Sequence, residues 1–190
     1  MSIKKNYNFD ELKEPFEGAK TIINEYGTLT EDTVNFKLNP ETWSCTEVCQ
    51  HLIRFNEMYF SEIDQAIEKQ KTIPVSKNGS SFSPKWTVRK LAGYLEPPYK
   101  FGIKTLRPMY PANVKLSAEN TFIRLIEINE EIITLLNKAE KEQWNLNKIK
   151  GKHPLLKIYR MSLMDYLIFI DAHQRRHFWQ IEQILARIPE

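Results

Sequence analysis

Apolar residues recur at spacings of three and four along four stretches of the chain, which is the period of an amphipathic α-helix. The stripes are continuous, and no strand-like alternation of comparable strength appears between them. The pattern therefore predicts four helices, over residues of about 9–26 and 44–70, from about 117 onward, and from about 162 to 185.

Two of these helices carry recognisable start signals. Ser44 is followed three residues later by Glu47, which is the spacing of a capping box. Ser162 precedes the fourth helix, and Asp165 places an acidic side chain in its first turn. These signals fix where the second and fourth helices begin.

Four long helices in a chain of 190 residues predict an all-α four-helix bundle, as a single domain over residues 1–190. The connection 71–116 holds six of the ten prolines. A connection of this length is typical of a crossover between the second and third helices. Within it we expect a short helix over 84–94, started by Ser83.

Composition narrows the class of protein. The chain is 42% apolar and has a net charge of only +3. This small positive charge does not form a basic surface that would bind phosphates, so nucleic acid is not an expected partner. The longest apolar run, 166–170, is far shorter than the roughly 20 residues of a membrane span. The first residues also lack the apolar region of a secretory signal.

Cys45 and Cys49 are the only cysteines, and they lie four residues apart on one predicted helix. A disulfide between them would be strained, so a reducing cytoplasm is the expected location. The two thiols can be read as soft metal ligands, but we favour ordinary core cysteines.

Two of the four histidines, His173 and His177, are an i, i+4 pair on the fourth predicted helix. This spacing brings their Cβ atoms to about 5–6 Å, close enough for both rings to bind one metal ion. Both lie within the apolar stripe and should point inward. His51 lies beside the buried face of the second helix, so the three rings converge if those helices are neighbours.

The alternative is that these are separate core histidines bonded to carboxylates. Two other metal classes fit poorly. A zincin protease needs glutamate where Gln174 stands, and a di-iron bundle needs glutamate three residues before each histidine. Three histidines with open coordination positions form a known catalytic arrangement.

Residues 43–52, from Trp43 to Leu52, resemble the "W-S-x-x-E-x-x-x-H-L" opening of the second helix in the DinB-like superfamily. Residues 173–181 resemble that family's "H-x-x-R-H-x-x-Q-I" signature in the last helix. The stretch 153–165 and the proline-rich segment 97–111 are also similar to the family, so the resemblance covers most of the chain.

The resemblance implies a four-helix bundle with one divalent metal, zinc or nickel, held by His51, His173 and His177. Relatives include bacillithiol S-transferase-like proteins, mycothiol-dependent enzymes and proteins labelled metal-dependent hydrolases. It thus implies a low-molecular-weight thiol or a water molecule as nucleophile and a small-molecule substrate.

Three further residues are expected near the metal. Glu47 is one turn before His51 and either accepts a hydrogen bond from a ligand ring or serves only the capping box. Arg176 either anchors a substrate carboxylate or pairs with a surface acid, and we favour the surface pair. Gln180 is placed to orient a metal-bound water. His153 is read as a turn residue or a fourth ligand, with the turn favoured.

Aromatic side chains of the second helix and of the connection either line a cleft or only anchor the connection to the bundle by packing. These residues are Tyr59, Trp86, Tyr94, Phe101 and Tyr110.

Two functions remain open on the sequence. The first is a metal-dependent enzyme, a thiol S-transferase or a hydrolase. The absence of a glutamate base in the histidine motif favours thiol transfer slightly. The second is a non-catalytic bundle with a structural or incidental metal. A homodimer is compatible with either, and the sequence does not choose between zinc and nickel.

Overall fold

The computed structural model describes residues 3–70, 81–98, 104–111 and 116–188. These residues are mostly helical, which confirms the all-α class. The helices are α1 (Phe9–Gly27), α2 (Glu31–Asn35), α3 (Cys45–Gln70), α4 (Trp86–Leu95), α5 (Ala118–Lys141) and α6 (Leu163–Leu185).

The long helices begin where polar side chains satisfy the first free backbone N–H groups. The Ser44 hydroxyl accepts from the Glu47 N–H, and the Glu47 carboxylate accepts from the Ser44 N–H. Ser162 and Asp165 make the same reciprocal pair at the start of α6. Both predicted start signals are therefore confirmed.

The four long helices pack around a shared interior. Helix α5 packs against α1 and α3, and α6 also packs against both. The buried side chains form two apolar clusters, and α3 contributes to each of them, with Phe55 in one and Leu52 in the other. Because α3 and α6 are direct neighbours, histidines on these two helices can meet.

Part of the connection 71–116 departs from the prediction. Helix α4 begins at Trp86 after Lys85, not at Pro84, and its N-cap has no side-chain hydrogen bond. Ser83, the expected cap, instead bonds the side chains of Asn6 and Asn147. A short 3₁₀ helix follows at Arg107–Met109. Residues 71–80, 99–103 and 112–115 of the connection lie outside the described residues.

A short helix and a hairpin were also not predicted. Helix α2 has only five residues and is capped by Thr30. Strands β1 (Lys150–Lys152) and β2 (Arg160–Ser162) form an antiparallel hairpin, with Gly151 opposite Met161. Three residues are too few for alternation to stand out in a sequence. The hairpin packs against α3 and leads directly into α6.

None of the described helices combines the length and apolar character that a membrane span requires.

Candidate metal centre

Three histidine rings meet between α3 and α6. The Nε2 atom of His173 lies 3.4 Å from Nε2 of His51 and 3.2 Å from Nε2 of His177. The three side chains are buried, with exposed fractions of 2%, 9% and 6% for His51, His173 and His177. The convergence expected from the i, i+4 spacing and from neighbouring helices is present.

The outer nitrogens fix the tautomers of two of these rings. Nδ1 of His51 lies 2.8 Å from the backbone carbonyl oxygen of Met109, which can only accept, so Nδ1 carries the proton. Nδ1 of His177 lies 2.8 Å from Oε1 of Gln180 and likewise donates. In both rings the Nε2 lone pair therefore faces the common centre.

A divalent cation fits this arrangement. Tetrahedral bonds of 2.0–2.1 Å place two nitrogen ligands about 3.3 Å apart, close to the separations found here. Without a cation, Nε2 of His173 carries one proton at most and can donate to only one of its two neighbours. In the other contact, with His51 or with His177, two lone pairs would face each other. Buried Nδ1 of His173 has no hydrogen-bond partner among the described residues, so no hydrogen bond at that atom fixes the orientation of this ring.

Burial keeps the three rings neutral. Desolvation lowers the pKa of His51, and it lowers that of His173 well below the ordinary value, with His177 adding to the effect. Burial, then the neighbouring His51, lowers the pKa of His177 to about 3. Neutral imidazole is the form that coordinates metals, so near pH 7 the rings are ready to bind. The group can hold a metal ion, and its donor atoms all lie within 4.8 Å of one another.

Aromatic rings pack against two of the histidine rings. Phe55 stacks on His173 with ring centroids 3.7 Å apart and an interplanar angle of 16°. Trp43 lies against His51 at 5.1 Å. These contacts limit rotation of the two histidine rings, and both aromatic side chains line the same cavity as the histidines.

The inner side of the cluster opens into a cavity of about 660 Å³. All three histidines line it. Structural zinc sites are closed by four protein ligands, whereas catalytic sites keep an open position. No fourth histidine, cysteine or carboxylate joins the group within residues 3–70, 81–98, 104–111 and 116–188.

The cavity wall combines aromatic and cationic side chains. Basic Lys104, Arg176 and Arg187 line it, against one acidic residue, Glu41. Arg176 is 6% exposed and lines the cavity, so it does not lie at the surface where the favoured ion pair was expected.

Glu47 and Gln180 have different roles. The Glu47 carboxylate accepts from the Ser44 N–H and pairs with Lys37 at 2.9 Å, so the capping interpretation accounts for it. Gln180 bonds the outer nitrogen of His177. Its observed contact is therefore with a ligand ring, the role that keeps the tautomer and orientation of a coordinating histidine fixed.

Gln174 points away from the cluster into the core. Its side-chain amide exchanges two hydrogen bonds with that of Asn129 on α5, at 3.1 and 3.2 Å. This pair joins α5 to α6 one residue from His173. It explains why glutamine, which the zincin pattern excludes, stands at this position.

Two alternatives for other residues are decided by position. His153 lies outside the three-histidine group and accepts backbone hydrogen bonds in the turn after β1, which supports the turn interpretation. Cys45 and Cys49 are free, fully buried core residues. The hydrogen bond with the neighbouring Cys45 thiol, followed by burial, raises the pKa of Cys49, which disfavours the thiolate that metals bind.

Of the expected cleft aromatics, Tyr59 lines the cavity. Trp86 and Tyr94 are exposed at 65% and 68%, and Tyr110 is partly exposed at 39%. Phe101 lies outside the described residues.

The contact of the Met109 carbonyl with His51 was not predicted from the sequence. A backbone acceptor has no side-chain signal, and its position depends on how the connection folds over α3. Trp43 belongs to the motif over residues 43–52, but its contact with the His51 ring was not predicted.

Comparison of the chain with protein-family models, with curated proteins and with solved structures finds no match. The membership in the DinB-like superfamily that the motifs imply thus remains a proposal.

Proposed function

We propose that the protein is a divalent-metal-dependent enzyme that transfers a low-molecular-weight thiol to a small electrophile. The observation that carries this proposal is the convergence of three neutral imidazoles at one wall of a 660 Å³ cavity. A cluster facing open space suits a reacting group better than a structural metal, which favours the enzyme over the non-catalytic bundle.

We also propose that the protein belongs to the DinB-like superfamily. A ring of four packed long helices, the three ligands and the two motifs together support a DinB-like four-helix bundle with zinc or nickel. The free thiols of Cys45 and Cys49 support a cytoplasmic location.

When bound, such a metal would deprotonate a coordinating thiol, or lower the pKa of bound water to about 7. The chain's own part is orientation. His51 and His177 present Nε2 because Met109 and Gln180 hold their Nδ1 protons. Phe55 and Trp43 limit motion of the ligand rings.

Thiol transfer is favoured over hydrolysis because the cavity offers little carboxylate to serve as a general base. Glu47 is engaged in the helix cap, and Gln174 is bonded to Asn129. Within the described lining, Glu41 is the single carboxylate, and it is exposed. A thiol ionised by a metal needs no separate base.

The charges of the cavity indicate the class of substrate. Lys104, Arg176 and Arg187 outnumber Glu41, so a thiol or electrophile that carries a carboxylate or another anion is favoured. Arg176 is the buried member and is best placed to act in a desolvated site.

The first experiment is metal analysis of protein purified without a histidine tag. We expect close to one equivalent of zinc or nickel. Less than a tenth of an equivalent, unchanged after either metal is added, would contradict the proposal. The second is an assay of thiol conjugation to a chromogenic aryl chloride, with His173→Ala as control. If the metal-loaded protein accelerates the hydrolysis of an ester but does not accelerate conjugation, the result would favour a hydrolase.

A further inference from the structure

A second pair of polar groups lines the metal cavity without belonging to the ligand set. Tyr59, on α3, and His153, in the loop between β1 and β2, both face this cavity. The Tyr59 hydroxyl oxygen lies 3.1 Å from Nε2 of His153. The three-histidine group that could hold a metal ion contains neither residue.

The direction of this hydrogen bond follows from the other side of the His153 ring. The backbone N–H groups of Leu155 and Leu156 both donate to Nδ1, each at 3.1 Å. A nitrogen that accepts two hydrogen bonds carries no proton, so the neutral ring has its proton on Nε2. Burial, followed by nearby Lys157, lowers the pKa of His153 and keeps the ring neutral.

It follows that His153 donates and Tyr59 accepts. The hydroxyl hydrogen of Tyr59 is then left for a different acceptor. The bond to His153 is the only one found for this hydroxyl among the described residues. Burial, with a smaller effect of Tyr166, raises the pKa of Tyr59, so the hydroxyl keeps its hydrogen.

The position of Tyr59 relative to the metal cluster defines its reach. Its ring stacks on Phe55 with centroids 4.4 Å apart, and Phe55 stacks on His173 at 3.7 Å. Tyr59 therefore lies two ring layers along the cavity from the cluster. It is placed to hold a part of the ligand that is remote from the metal.

We propose that Tyr59 is a hydrogen-bond donor to the substrate and that His153 is the residue that positions it. The inference rests on the proposed function for the nature of the ligand. The ligand is a thiol with a carbonyl or carboxylate acceptor several bonds from its sulfur.

The first test measures the tautomer of His153 without any ligand. Protein with ¹⁵N-labelled histidine, in its metal-loaded form, is studied by long-range ¹H–¹⁵N correlation NMR. We expect the His153 signal of an unprotonated Nδ1 and a protonated Nε2, assigned by its loss in His153→Gln. A proton on Nδ1 would overturn the inference, whatever the function of the protein.

The second test measures binding on cobalt-substituted protein, through the sulfur-to-cobalt absorption band. The probes are glutathione, which has amide and carboxylate acceptors remote from sulfur, and 2-mercaptoethanol, which has none of these. We expect Tyr59→Phe to weaken the binding of glutathione by about 3- to 10-fold, which is the effect of one neutral hydrogen bond. The affinity for 2-mercaptoethanol should stay within about 2-fold of the wild-type value.

Tyr166→Phe is the matched control, since it also removes a buried hydroxyl with one hydrogen bond, to the Lys152 carbonyl, but lies outside the cavity lining. His153→Gln, which keeps a donor, should retain the preference for glutathione, and His153→Leu should reduce it.

The outcomes separate the two proposals. If Tyr59→Phe lowers the affinity for both thiols equally, or for neither, the role of Tyr59 is overturned while the proposed function stands. Failure of wild-type protein to bind either thiol contradicts the proposed thiol chemistry and the use of Tyr59 in it. In that case the tautomer measurement still decides the direction of the Tyr59–His153 hydrogen bond.

Discussion

His51 and His173 are 122 residues apart in the chain, yet their Nε2 atoms lie 3.4 Å apart. The two histidines belong to α3 and α6, which pack directly against each other. The Met109 carbonyl holds the outer nitrogen of His51, so a segment of the long connection also orients the cluster. The candidate metal site is thus assembled from three distant parts of the sequence.

Removal of one ligand should abolish stable metal binding. For His173→Ala we expect metal affinity to fall by more than roughly 100-fold, since loss of an outer hydrogen-bond partner alone costs about 10- to 100-fold. Elemental analysis and competition with a chromogenic chelator measure this. His153→Gln is the control and should keep one equivalent. Full retention of metal by His173→Ala would contradict the ligand assignment.

The hydrogen bond between Gln180 and His177 should tune the metal affinity. Gln180→Leu removes the acceptor at 2.8 Å from Nδ1, so we expect about a 10- to 100-fold loss of affinity with the helix intact. Gln180→Glu should restore or exceed the wild-type affinity, because a carboxylate is a stronger acceptor. The control is Gln183→Leu, an exposed position that lines the same cavity. Equal effects at both positions would argue against the role of Gln180.

The metal-free protein should lose stability in mild acid. In the unfolded chain histidines titrate near pH 6.5, whereas burial lowers the pKa of His51, His173 and His177 in the fold. Above pH 6.5 the rings are neutral in both states and contribute nothing. Below it the unfolded chain takes up protons first, so stability falls by as much as about 1.4 kcal/mol per pH unit for each ring.

Urea unfolding in the presence of a chelator, at pH 7.5, 6.0 and 5.0, checks this dependence on pH. His177→Gln removes one of the titrating groups and should reduce the slope. A free energy of unfolding that stays constant between pH 7.5 and 5.0 would show that the three rings are not buried as neutral groups.

The buried amide pair between α5 and α6 gives a test of packing beside the site. Asn129→Leu leaves the Gln174 amide without its partner, so we expect a loss of about 1–3 kcal/mol. Adding Gln174→Met removes the stranded polar group and should recover part of this loss. A double-mutant cycle by chemical denaturation measures the coupling. Strictly additive effects would mean that the two amides do not interact.

Gly151 lies where the hairpin packs closely against α3. A Cβ at this position would lie 2.9 Å from the Glu62 carbonyl oxygen and would overlap the Tyr166 hydroxyl. We therefore expect Gly151→Ala to cost about 1–3 kcal/mol. Gly18→Ala, in open space on α1, should instead stabilise by about 0.5–1 kcal/mol. Thermal denaturation distinguishes them, and a neutral Gly151→Ala would show that the hairpin can move away.

Local signals in the sequence were enough for the long helices. Apolar spacing of three and four marks the buried face, and Ser44 with Glu47 or Ser162 with Asp165 marks a helix start, because caps act within one turn. Short elements gave no such signal. Helix α2 and the hairpin have too few residues for a period, and they form because neighbouring helices pack against them.

For the site, the sequence determined which imidazoles can act together. The spacing of His173 and His177 places both rings on one face of a helix, which is a local property of the chain. It did not determine the meeting with His51, the Met109 carbonyl, the burial of Arg176 or the contact of His153 with Tyr59. These depend on how helices and connections pack across long separations in sequence, which only the tertiary structure decided.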